Sequence, residues 1–217
     1  MTKFKLGAAA FILAAFAATS AHAADVPAPA PATKHSTISI EGSPEWSTSG
    51  ATSGQWADDY LKLGYSYSFD NNLVWGAAYQ HTWRSTSGAD QVETSLGYKI
   101  KAGALTLTPS ALLGYGFGDQ PRIDPTNNFN AEAYYAVSLA ADLKLDDHWT
   151  WNAFNARYRN AFNVTWITPK VSSGFTYKID GSNAVYANVG YAWKDKGLGA
   201  GLQPDKWNVA VGYKFSF

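Results

Sequence analysis

Residues 206–217 read KWNVAVGYKFSF, with Trp207, Val209, Val211, Tyr213, Phe215 and Phe217 on the odd positions and Asn208, Ala210, Gly212, Lys214 and Ser216 between them. Strict alternation is the period of an extended strand, so one face meets an apolar medium and the other a wetter one. A secreted β-sandwich or soluble barrel would turn the apolar face inward, whereas a barrel in a lipid bilayer would turn it outward. The rest of the chain decides between them.

The start of the chain bears on the compartment. Lys3 and Lys5 precede an apolar run from Leu6 to Ala18, and Ala21-His22-Ala23 has the form of a cleavage site before Ala24-Asp25. This predicts a secretory signal peptide over 1–23, because a spanning helix needs about 20 apolar residues and different flanks. Val26 to Pro31 alternates Pro with small residues, which predicts an extended periplasmic tether over 24–34. The chain has no Cys, so an exported domain over 35–217 is held by burial and hydrogen bonds rather than by disulfides. The formal net charge is zero, which names no nucleic-acid partner. Aromatics are abundant, with nine Trp, thirteen Tyr and eleven Phe. No segment after the signal is apolar for 18 residues, so any crossing of a membrane is made by strands.

Period-two patterning predicts ten strands: His35–Ser47, Asp58–Asp70, Leu73–Ser85, Gln91–Ala102, Ala104–Phe117, Ala131–Leu145, Trp149–Arg159, Val164–Ile179, Asn183–Lys194 and Lys206–Phe217. Tight turn sequences at 70–72, 101–104, 146–148 and 180–182 alternate with longer polar links at 48–57, 86–90, 118–130 and 195–205. Asn160–Asn163 breaks this rule by being short where a long link is expected. Short turns at one end and long loops at the other describe an all-β, antiparallel, up-and-down transmembrane barrel.

The faces sharpen that reading. The predicted outer positions run from Leu61, Leu63, Tyr65, Tyr67 and Phe69 on the second strand to Val185, Ala187, Val189, Tyr191 and Trp193 on the ninth, and hold no Asp, Glu, Lys or Arg. A basic side chain on a lipid face near the midplane costs about 2–4 kcal/mol, which explains their absence if the medium is hydrocarbon. The inner positions hold small residues such as Gly64, Gly76, Ser95, Gly114, Ser138 and Gly212, suited to a narrow interior. Strand seven is ambiguous: Trp149 and Trp151 face out on odd positions, whereas Phe154 and Tyr158 do so on even ones. A β-bulge near Ala153 reconciles them and turns Arg157 and Arg159 inward.

With the strand pattern in place, Tyr213-Lys214-Phe215-Ser216-Phe217 resembles the C-terminal signal strand of bacterial outer-membrane β-barrel proteins, which ends on Phe and is recognised by the barrel-assembly machinery. The resemblance implies an outer-membrane location, lipid and that machinery as partners, and Tyr213, Phe215 and Phe217 as the assembly signal.

The inner positions carry an excess of basic residues. Lys62, Arg84, Lys99, Lys170 and Lys194 are candidate pore-lining residues, opposed by Glu93 and Glu132, with Lys62 and Lys170 nearest mid-depth. A basic ring is how an anion-selective pore is built. A small porin lined this way is similar in architecture to porins for acidic oligosaccharides, although those have more strands. The expected function is therefore a porin-like channel for passive diffusion of small anionic solutes. The alternative is a closed structural or adhesive barrel, plugged by its own ion pairs, that presents extracellular loops. No enzyme is expected: the resemblance to ten-stranded omptin proteases fails because Asp58-Asp59 has no His beside it, and Asp146-Asp147-His148 reads as a turn. Neither a cofactor nor a metal is expected.

Overall fold

A computed structural model describes residues 35–48, 52–84, 88–118, 131–163, 165–195 and 201–217; the segments read as signal peptide and tether, and nearly all of the 118–130 link, lie outside these residues. The described chain forms β1 (Ser36–Ser47), β2 (Trp56–Ser68), β3 (Leu73–Arg84), β4 (Gly88–Tyr98), β5 (Ile100–Ala102), β6 (Leu105–Gly118), β7 (Ala131–Lys144), β8 (Trp149–Ala161), β9 (Lys170–Lys178), β10 (Asn183–Asp195) and β11 (Leu202–Ser216). β4 and β5 are two parts of one crossing. They separate at Lys99, whose backbone N–H donates to the Asn72 carbonyl at 2.9 Å, where a single unbroken strand was expected. Neighbouring crossings pair antiparallel, β1 pairs β11 and β4 pairs β6, so ten crossings close into a barrel. Closure leaves no sheet edge to satisfy.

The tight turns share one end with His35 and Phe217. Two of them use the same device: Asp146 Oδ1 accepts the N–H groups of His148 and Trp149, both at 2.7 Å, and Asp180 Oδ1 accepts those of Ser182 at 2.6 Å and Asn183 at 2.8 Å. These donors also hold the Asp146 carboxyl below the usual carboxylate range. Asp146 is therefore a turn residue, as its sequence context suggested.

The start of β9 departs from the expected strands for a physical reason. β9 begins at Lys170 rather than Val164, because Pro169 has no N–H to enter the ladder. The link after β8 is longer than expected as a result, which removes the anomaly at Asn160–Asn163. Trp166, on that link, turns inward and is 2% exposed, against Tyr134 and Ala161. β8 does contain the expected bulge: Asp142 pairs Asn152 while Ala141 pairs Phe154, so Ala153 is the extra residue. Trp149, Trp151, Phe154 and Tyr158 are all exposed on the outer face as a consequence.

That outer face is apolar at mid-height, where Leu63, Leu96, Leu113, Val137, Val189 and Val211 stand exposed. Aromatics gather toward its two ends, with Trp46 stacked on Trp207 at 4.3 Å near the loops and Trp149 against Tyr177 at 4.9 Å near the turns. Polar atoms on this face are satisfied locally. The Trp75 indole N–H donates to Thr94 Oγ1 at 3.0 Å, and that of Trp151 to Ser173 Oγ at 3.2 Å. Among the described residues, two carboxylates also face outward, both near the loop end. Asp59 accepts from Trp56 Nε1 at 2.9 Å; Asp90 accepts from the Tyr79 hydroxyl at 2.5 Å and meets His81 Nδ1 at 2.7 Å.

Candidate functional site

The inner face encloses a cavity of about 920 Å³. It survives in so narrow a barrel because large inward side chains lie down on glycine. Tyr134 pairs across the ladder with Gly114, and Tyr186 with Gly212. A Cβ on either glycine would collide with the ring laid over it. Asn208 over Gly190 and Asn188 over Gly174 repeat the arrangement with amides. Tyr186 and the two amides thus line the wall, and Tyr134 lies buried within it, instead of crossing the lumen.

Among the described residues, seven basic side chains line the cavity: Lys62, Arg84, Arg157, Arg159, Lys170, Lys194 and Lys206. Six acidic ones face them: Glu41, Glu45, Asp58, Glu93, Asp195 and Asp205. Ion pairs bind most of them into two groups. In the first, Lys206 Nζ bridges Asp58 Oδ2 and Glu45 Oε2, the latter at 3.3 Å. Lys170 reaches Glu45 at 3.8 Å, and Arg84 lies 3.8 Å from Asp58. In the second, Glu93 takes Lys62 at 2.8 Å and the Tyr134 hydroxyl at 2.9 Å, with Arg157 at 3.9 Å. Arg159 has no carboxylate partner among the described residues. Its guanidinium lies 4.1 Å from the Trp166 ring centre and donates to Gln91 at 3.2 Å and Thr168 at 2.8 Å. Glu41 is held by hydroxyls rather than cations, accepting from Tyr60 at 2.8 Å and bonding Tyr186.

Of the residues singled out from the sequence, Lys62, Arg84, Glu93, Lys170 and Lys194 line the cavity. Lys194 pairs with Asp205 at 2.5 Å. Lys99 and Glu132 do not line it. Lys99 lies toward the turn end, donating to Ser68 Oγ at 2.9 Å, and Glu132 is buried, accepting from Asn163 at 3.0 Å. Tyr213 donates to Asn183 Oδ1, and Phe215 stacks on Phe217 at 5.8 Å on the outer face. Sequence reasoning left out Tyr60, Tyr134 and Tyr186. Their parity and the glycines across the ladder were the available signal. Trp166 gave no signal, because a residue on an irregular link has no parity to read.

No family model and no curated protein sequence matches the chain. Solved structures do. The translocator domain of the autotransporter NalP from Neisseria meningitidis superposes with a TM-score of 0.52 at 13% identity, over 84% of this chain and 89% of that one. The fold is that of an outer-membrane β-barrel. The NanC porin gives 0.49 at 11% identity over 83% of this chain and all of that one. The outer-membrane protease OmpT of Escherichia coli gives 0.47 at 10% identity over 86% and 97%. In outer-membrane barrels of this kind the short turns are periplasmic and the long loops extracellular. The cavity therefore occupies the extracellular side of the barrel, and the exposed apolar belt meets lipid. Below the cavity the lumen is occupied by Lys99, by Lys214 set 4.6 Å from the Tyr186 ring centre, and by Asn152 donating to Asp142 at 2.8 Å.

Proposed function

We propose that this outer-membrane barrel is a narrow passive conduit for small solutes, with a preference for anions, and that it carries out no catalysis. The observation that carries the reading is the charge of the cavity wall, where among the described residues basic side chains outnumber acidic ones and Arg159 makes no ion pair. Lys99 and Lys214 below the cavity extend the positive side of the balance toward the periplasm. Lumenal rings of basic groups lower the energy of an anion in transit and raise that of a cation. The NanC neighbour is itself described as a porin, which agrees with this reading.

Solute flux tests it. Barrels reconstituted in liposomes are expected to pass a small monoanion faster than a cation of equal size, and a disaccharide slowly or not at all. Liposomes that pass no solute would overturn the conduit. They would favour the second reading, a filled structural or adhesive barrel displaying its loops, which the tight Lys62–Glu93 pair favours.

The closing strand is proposed as the signal for assembly through Tyr213, Phe215 and Phe217. Deleting Phe217 is expected to lower the inserted fraction in cells more than it lowers stability in detergent. Equal losses would make Phe217 an ordinary lipid-facing residue.

A further inference from the structure

Glu93 holds donors that come from well beyond its own strand. Lys62 reaches it from β2 across β3, and Tyr134 and Arg157 reach it from β7 and β8 across β6. The reach depends on what stands between. Ala78 on β3 and Gly114 on β6 are the cross-strand partners of Glu93, and neither has a side chain long enough to intervene. One carboxylate, 6% exposed, thus gathers two cations and a hydroxyl from an arc running from β2 to β8.

We propose that Glu93 sets the charge selectivity of the lumen, by cancelling the field of Lys62 and Arg157 and so damping an anion preference that those residues would otherwise impose. The inference rests on the conduit reading for its consequence in transport, but the charge balance itself is open to a separate probe. Ser95 lies two residues from Glu93 on the same strand and lines the cavity. The chain has no Cys, so Ser95→Cys introduces a single thiol into an otherwise unreactive protein. Its modification by an anionic and a cationic methanethiosulfonate reports the local potential without any current flowing.

In a Glu93→Gln background, which keeps the shape and an acceptor for Tyr134, the anionic reagent is expected to react about fivefold faster and the cationic one about fivefold slower, the effect of one unit charge at this range. Lys62→Gln is expected to shift both rates the other way, and it carries the test if Glu93→Gln fails to fold. Opposite shifts for the two reagents support the proposal. Equal acceleration of both would mean only a loosened wall, and unchanged rates would mean no field; either overturns it. A wild-type barrel that passes no ions in a bilayer would overturn the conduit reading while leaving the labelling result to decide the role of Glu93.

Discussion

Lys206→Met is expected to destabilise the barrel by about 3–5 kcal/mol, the cost of leaving buried charges without their partner. Lys206 stands between Glu45 and Asp58, and the Asp58 side chain is only 3% exposed. Without the ammonium, two carboxylates would face each other in a poorly solvated wall, with Lys170 and Arg84 each 3.8 Å off as partial compensation. Asp58→Asn in the same chain removes one of the opposed charges and is expected to restore part of the loss, so the double variant should be more stable than Lys206→Met alone. Denaturant unfolding in detergent or vesicles measures both. A Lys206→Met barrel as stable as wild type would show that the bridge contributes nothing.

The second large effect lies on the opposite face. Val189 is at the middle of β10 and is 58% exposed, directly on the belt that meets hydrocarbon. Val189→Arg is expected to cost about 2–4 kcal/mol in folding equilibria measured in phospholipid vesicles, because the guanidinium must be desolvated or must snorkel from the greatest depth. Val189→Leu should stay close to wild type, since it changes packing against lipid tails and nothing else. If arginine were tolerated as well as leucine, the outer face would be meeting water, and the membrane placement of the belt would fail.

Much of this was legible in the sequence, and the reason is parity. A strand with lipid on one side and a polar lumen on the other cannot slip by one residue without reversing every side chain, so the pattern from Leu61 to Phe69 or from Val185 to Trp193 already separates the faces. Even the bulge at Ala153 could be read, because aromatic residues change parity across it. Parity says nothing, however, about partners two or three strands away. That Lys62 meets Glu93 depends on register and on the small Ala78 between them. The sequence therefore showed basic residues at mid-depth without showing that they were largely neutralised. β9 was misjudged at its start because alternation continues through Ile167 and Pro169, whereas the ladder loses a donor at Pro169 and keeps only isolated backbone bonds before it. Trp166 came into the barrel wall from an irregular link, where no periodic signal exists.

The proposal that the lumen conducts and leans toward anions meets its most direct test in the reversal potential of single reconstituted barrels under a potassium chloride gradient. The account predicts discrete conductance steps and a reversal potential displaced toward chloride, shrinking as ionic strength rises and screens the wall. Lys62→Gln together with Lys170→Gln should move that potential toward potassium. A wild-type barrel that conducts with a preference for potassium, or that gives no current at all, would contradict it.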